Sequence, residues 1–221
     1  MRSRERSKNL RFSATRFGAN WCDFEGGLIF WVENPSDFRY GKGMIRRERL
    51  PRLDAEFYRG QAIVHWTMAM ENRATGWLDA KFHAGLREAL VHVCARYGLA
   101  CPVYCMMPDH AHFLLAGLSE ESDQRGGVRM LRREFGRLLP EGFSLQRQAH
   151  DHVLREKEKE RGAFENMAGY VLQNPERAGL VDRWEEYQFS GSIVAGYPSL
   201  EPRREKFWES FWLAFAASAA R

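Results

Sequence analysis

Two histidines separated by one residue are the first pattern in this sequence that could do chemistry. His110 and His112 lie in the run MMPDHAHFLL, where Pro108-Asp109 predicts a turn and the residues after it predict an apolar strand. Side chains two residues apart on a strand project from the same face, and paired imidazoles suit a divalent metal. An isolated His-x-His usually marks a solvated strand face, but two polar rings in an apolar strand need a specific role. The sequence therefore predicts half of a metal site here.

A second pattern of the same kind, His150-Asp151-His152, competes with the first. Asp151 offers a carboxylate oxygen as a further ligand, and the helix predicted to follow could bring this segment near the same site. Its surroundings are polar, however, so a solvated loop explains it equally well. We rank this pair second as a metal-binding candidate.

Tyr170 and Asn174 lie four residues apart in a predicted helix, so they share one face of it. A tyrosine phenol has an ordinary pKa of about 10, and it becomes a useful nucleophile only when neighbouring groups orient and assist it. The alternative is an amphipathic tyrosine and an asparagine that ends a helix before Pro175. Without further information, that alternative explains the pair better.

Arginines recur along one face of another predicted helix. Between Arg125 and Arg137, the first and the last of these arginines, Glu134 is the one acidic residue. A run of charges usually forms a solvated face, but the scarcity of compensating acids favours a surface that follows a nucleic-acid backbone. The residues predicted to contact DNA phosphates are Arg125, Arg129, Arg132, Arg133 and Arg137.

The elements that must position these residues alternate between strand and helix. Apolar runs bounded by turn residues predict strands, and apolar residues at three-to-four spacing predict helices. The predicted strands cover 62–70, 102–107 and 110–115, an extended piece covers 144–154, and the predicted helices cover 80–97, 126–139 and 156–173. Because Pro175 disfavours helix at the residue before it, we expect the last of these helices to end near Asn174. This order predicts an α+β, ferredoxin-like βαββαβ sandwich with an antiparallel sheet.

Extensions are expected on both sides of this domain. Residues 1–60 contain 13 Lys and Arg against 8 Asp and Glu, whereas residues 61–221 contain 20 against 21. We therefore expect a basic N-terminal extension over 1–45 and a main domain over 46–195. Aromatic residues at helical spacing predict a C-terminal amphipathic helix within 196–221 that packs as core or interface.

The composition is that of a folded, mildly basic protein. Hydrophobic residues make up 44% and charged residues 28% of the 221 residues, which excludes disordered and collagen-like chains. The four cysteines form no Cys-x-x-Cys pair, so we expect reduced thiols. No uncharged apolar run reaches the roughly 18–20 residues of a membrane span, and no signal peptide is visible. We expect a cytoplasmic protein without a membrane segment.

The order of these motifs resembles a known family. MMPDHAHFLL is followed by the arginine helix, HDHVLRE, AGYVLQNPERAGLV and YQFSGS. Over about residues 45–195 this is similar to the REP-associated tyrosine transposases, a branch of the IS200-like, single-tyrosine HUH (His-hydrophobic-His) transposases. Two positions depart from the usual pattern: the residue between the histidines is the small Ala111, and Asp109 stands where asparagine is common. Neither departure removes a ligand.

The resemblance implies roles for four residues. His110 and His112 match the metal ligands of the family, and Tyr170 matches the nucleophilic tyrosine. Asn174 matches a polar residue that can complete the metal shell. The implied cofactor is Mg²⁺ or Mn²⁺, and the implied fold is the βαββαβ core already predicted.

The implied activity is that of a single-strand DNA endonuclease and strand transferase. It would cut hairpin or single-stranded repeat DNA through a covalent 5′-phosphotyrosine, as a monomer or a homodimer. Two alternatives remain open from the sequence: a repeat-DNA-binding regulator without chemistry, and a metal-dependent phosphodiesterase that uses water as its nucleophile.

Overall fold

An antiparallel sheet of five strands, with four α-helices, forms the part of the chain that the computed structural model describes, residues 52–155 and 162–220. The predicted N-terminal extension over 1–45 lies outside the described residues, so both the extension and its boundary stay predictions. The strands are β1 (Ile63–Ala69), β2 (Leu99–Met107), β3 (His110–Gly117), β4 (His150–Val153) and β5 (Ser190–Ile193). The helices are α1 (Ala80–Tyr97), α2 (Gln124–Leu138), α3 (Ala163–Arg177) and α4 (Phe207–Ala219).

The strands lie in the order β4-β1-β3-β2-β5, and each neighbouring pair is antiparallel. The first four strands and the helices between them make the βαββαβ arrangement with strand order 4-1-3-2. This confirms the predicted α+β, ferredoxin-like sandwich. β5 was not predicted and extends the sheet beyond β2.

Local capping explains where α1 and α2 begin. The Asp79 carboxylate accepts a hydrogen bond from the Phe82 backbone N–H at 2.7 Å, and α1 ends at Gly98, whose φ of 61° suits glycine. In α2, Asp123 accepts from the Gly126 N–H at 2.9 Å. This cap starts α2 two residues earlier than the predicted 126.

The two faces of the sheet carry two separate hydrophobic clusters. One cluster joins α1 and α2 to Trp66, Met68 and Phe113. The other joins α3 and α4 to residues such as Leu114. Phe211 of α4 has no exposed surface, so the C-terminal helix contributes core to the α3 side. No helix in the described ranges is long and apolar enough to span a membrane.

The predicted end of α3 is wrong. The helix continues through the buried Pro175 to Arg177. Proline removes one backbone donor from a helix, and here that loss falls in the last turn, while Ala178 and Leu180 still donate to the carbonyls of Asn174 and Pro175. The predicted start at 156 lies outside the described residues.

Candidate active site

Neighbouring strands bring polar side chains together on the face covered by α3. In the register of β1 with β3, Thr67 lies opposite His112 and Ala69 lies opposite His110. Directly opposed residues project from the same face. His65, two residues before Thr67, therefore lies on this face as well.

His110 and His112 face each other through their Nε2 atoms, which are 2.9 Å apart. The Nδ1 atom of His110 lies 2.5 Å from Oδ1 of Asp109, and Arg73 pairs with the same carboxylate at 3.0 Å. The hydrogen bond with His110 is the main reason that the pKa of Asp109 lies below its usual value. The Asp109 carboxylate lies against Nδ1 of His110, which leaves the Nε2 atom of His110 facing His112.

His112 is held from behind by two side chains of β1. Its Nδ1 atom lies 3.0 Å from Nε2 of His65 and 3.2 Å from Oγ1 of Thr67. Burial lowers the pKa of His112 well below its usual value and lowers the pKa of His65 to about 3. Both rings are therefore neutral at physiological pH, which is the form of histidine that binds metals.

The spacing of this pair fits a divalent cation. Two nitrogen ligands at about 2.1 Å from one octahedral ion, at right angles, would be about 3.0 Å apart, close to the 2.9 Å between the Nε2 atoms of His110 and His112. Among the described residues, no group of three or more His, Cys, Asp or Glu could hold a metal ion. A metal here would take its remaining ligands from other donors, such as an amide or substrate oxygens.

Tyr170 of α3 lies against this histidine cluster. Its ring centroid is 5.8 Å from that of His112 and 6.1 Å from that of His65, with the rings nearly perpendicular in both pairs. The guanidinium carbon of Arg177 lies 5.0 Å from the Tyr170 ring centroid. A phenol, a guanidinium and the two facing histidine rings thus lie together in one site.

Asn174 has a hydrogen bond within its own helix. Its Nδ2 atom donates to the backbone carbonyl of Tyr170 at 3.4 Å. The role of Asn174 in completing a metal shell stays a prediction.

The second histidine pair lies in strand β4, within the extended piece predicted over 144–154, and the alternative of a solvated loop is wrong. His152 lies opposite His65 and His150 lies opposite Thr67, which places both on the histidine face at the edge strand β4. Asp151 points to the other face, where it accepts from the Tyr58 hydroxyl and pairs with Arg52 at 3.2 Å. Asp151 is therefore not an oxygen ligand on the histidine face.

The predicted arginine face divides into two parts. Arg133 and Arg137 are exposed and pair with Glu134 at 2.9 and 3.0 Å. The other three arginines line a pocket of about 470 Å³ together with two that were not predicted. This arginine pocket comprises Arg52, Arg125, Arg129, Arg132 and Arg147.

Comparison with known proteins gives the same relatives in sequence and in fold. A Haemophilus influenzae protein named as a REP-associated tyrosine transposase is 23% identical over 151 residues, which cover 61% of this chain and 81% of that protein. A solved structure of a REP-associated tyrosine transposase bound to a REP hairpin superposes with a TM-score of 0.51 at 18% identity, over 64% of this chain and 81% of that one. No protein-family model matches the chain.

This chain is similar to REP-associated tyrosine transposases. The similarity confirms the resemblance inferred from the motifs. It also confirms the α+β fold class, since the structural relative has the same architecture.

Sequence reasoning missed His65, the most buried histidine of this candidate site at 2% exposure. Its signal was a single polar ring in the apolar run AIVHWTMAM, two residues before Thr67. That pattern gains meaning only when the register with β3 is known. Arg52 was missed because it lies far from α2 in sequence, and Arg147 because it lies in the irregular segment between α2 and β4.

Proposed function

We propose that this protein is a DNA strand transferase of the REP-associated tyrosine transposase type, which cleaves single-stranded or hairpin repeat DNA with Tyr170. The observation that carries the proposal is the 5.8 Å separation between the Tyr170 and His112 rings. It brings a nucleophile next to a pair of nitrogens spaced for a metal. The relative bound to a REP hairpin supports hairpin DNA as the substrate.

In the proposed reaction, a DNA phosphate is transferred from the 3′ oxygen of one nucleotide to Tyr170. The Tyr170 hydroxyl oxygen attacks the phosphorus of a phosphodiester and loses its proton. The bond from phosphorus to the 3′ oxygen breaks, and that oxygen takes up a proton as it leaves. The DNA 5′ phosphate stays on Tyr170, so attack by another 3′ hydroxyl can rejoin DNA without ATP.

His110 and His112 would hold a divalent metal, with Asn174 as a further donor. When bound, Mg²⁺ or Mn²⁺ polarises the phosphate and stabilises the charge that develops on it. Asp109 orients His110, and His65 and Thr67 orient His112, by occupying their Nδ1 atoms. Arg177 adds a positive charge beside the nucleophile.

The test is covalent capture of DNA. Hairpin and single-stranded oligonucleotides from the repeats flanking the gene, labelled at the 5′ or 3′ end, would be incubated with protein and Mn²⁺ or Mg²⁺ and separated on denaturing gels. We expect wild type and the control Tyr97→Phe, on the far side of the sheet, to form a protein-linked band that carries the 3′ label. Tyr170→Phe should form none.

The alternatives give different results in the same experiment. Cleavage by both wild type and Tyr170→Phe, without a covalent band, would contradict the proposal in favour of a water-using metallo-phosphodiesterase. Tight hairpin binding without cleavage by wild type would contradict it in favour of a regulator. Circular dichroism of each variant checks that the substitution leaves the fold intact.

A further inference from the structure

The arginine pocket lies on the face of the sheet opposite to Tyr170. Val128 and Ala149 line it, and both belong to the hydrophobic cluster of α1 and α2. The guanidinium carbon of Arg52 lies 5.2 Å from the ring centroid of Trp66, whose side chain points away from the histidine face. The sheet therefore separates the pocket from the candidate active site.

Arginines dominate the described lining of the pocket. Five arginines and no acidic residue are among the described residues that line it. Arg52 pairs with Asp151 outside that lining. Arg132 donates from Nη2 to the Gln146 carbonyl at 2.5 Å, but its Nη1 atom is buried and has no hydrogen-bond partner within the described ranges. A buried, charged donor without an acceptor destabilises the fold, so the Nη1 atom of Arg132 favours an anionic ligand in the pocket.

The same helix shows what an ordinary solvated arginine looks like. Arg133 and Arg137 extend from α2 with more than half of each side chain exposed, and both pair with Glu134. The pocket arginines instead converge from α2 and from the segments before β1 and β4. Burial, followed by the nearby Arg52, lowers the pKa of Arg132. Such crowding of like charges is stabilised by an anion.

We infer that the arginine pocket binds a backbone phosphate of DNA at a nucleotide other than the one that Tyr170 attacks. A guanidinium presents paired donors that match phosphate oxygens, and a volume of about 470 Å³ admits a nucleotide-sized group. DNA is the polyanion of the proposed function, on which this inference rests. Because the sheet lies between the two sites, the pocket contributes affinity and leaves the cleavage step unchanged.

The test compares two double variants that remove the same charge from the same helix. Arg125→Gln/Arg129→Gln removes two pocket arginines, and Arg133→Gln/Arg137→Gln is the control. Binding of a labelled repeat hairpin is measured by fluorescence anisotropy at several KCl concentrations, in a Tyr170→Phe background so that no cleavage intervenes. We expect the pocket variant to bind about 10- to 100-fold more weakly and, because one phosphate contact is lost, to lower the salt slope by about 1. The control should change affinity by less than about 3-fold.

Chemistry is measured separately with Tyr170 intact, as the rate of covalent capture at saturating DNA. The pocket variant should keep the wild-type rate there. The inference is overturned if both double variants lose affinity equally or if neither loses affinity. It is also overturned if the Tyr170→Phe protein with all pocket arginines intact does not bind the hairpin. Absence of any covalent band with wild type would contradict the proposed function. The anisotropy comparison would still show whether the arginine pocket binds DNA.

Discussion

Replacing His65 with phenylalanine tests whether this residue positions His112 for a metal. The imidazole of His65 contacts Nδ1 of His112 at 3.0 Å, and phenylalanine keeps a flat ring of similar size without the nitrogen. If His112 binds metal through Nε2, its proton must lie on Nδ1, where His65 accepts it. Loss of that acceptor frees the ring to turn and to exchange its proton between the two nitrogens.

The size of the effect follows from the two partners of His112. Loss of an outer-shell partner typically lowers metal affinity by 10- to 100-fold. Because Thr67 Oγ1 remains 3.2 Å from the same Nδ1 atom, we expect His65→Phe alone to weaken Mn²⁺ binding by about 10-fold, equivalent to about 1.4 kcal/mol. His65→Phe/Thr67→Val, which removes both partners, should approach about 100-fold.

Isothermal titration calorimetry with Mn²⁺ measures this affinity without DNA. Covalent capture across a Mn²⁺ series gives a second readout, in which the His65→Phe rate should recover at high Mn²⁺. His92→Gln is the matched control, since the His92 side chain is 68% exposed on α1. A folded His65→Phe protein that binds Mn²⁺ as wild type does, or whose activity loss persists at saturating Mn²⁺, would refute the positioning role.

Three further predictions address the nucleophile and the fold. Arg177→Gln removes the cation beside Tyr170 and should slow single-turnover covalent capture by about 10-fold with an unchanged melting temperature; an unchanged rate would contradict this. Gln124→Leu leaves the buried Trp66 indole N–H without its acceptor and removes a side-chain donor from the Ala62 and Leu115 carbonyls, so urea unfolding should show a loss of about 1–3 kcal/mol, and a loss below about 0.5 kcal/mol would count against it. Deleting 207–221 uncovers the apolar surface around Phe211 and should lower solubility and the melting temperature; an equally soluble, equally heat-stable protein would disprove that.

The elements that could be predicted are those whose signals are local. α1 has an apolar stripe, a capping aspartate and a terminal glycine in one continuous stretch, and its bounds follow from them. The pairing of His110 with His112 is local too, because two-residue spacing on a strand fixes a common face. The structure extends both strands of this hairpin beyond their predicted ends but keeps the turn between them.

What could not be predicted depends on contacts between distant parts of the chain. The extended piece predicted over 144–154 contains β4, but β4 has polar side chains at three of its four positions, so its exact bounds come from pairing with β1. Pro175 lies within α3 although its local preference is to end a helix, since it is buried in the last turn. The arginine pocket joins residues almost 100 positions apart.

Successive side chains of β1 point to opposite faces of the sheet and so contribute to both of the functional surfaces proposed for this protein. His65 and Thr67 face α3 and hold His112, whereas Trp66 between them faces the other way and carries Arg52 against its ring. A shift of one residue in the pairing of β1 would exchange these faces. The buried Gln124 opposes such a shift, because its side chain bonds at once to Trp66, to the Ala62 carbonyl just before β1 and to the Leu115 carbonyl within β3. The hydrogen bonds that fix the register of one strand therefore keep the nucleophile site and the arginine pocket on opposite sides of the sheet.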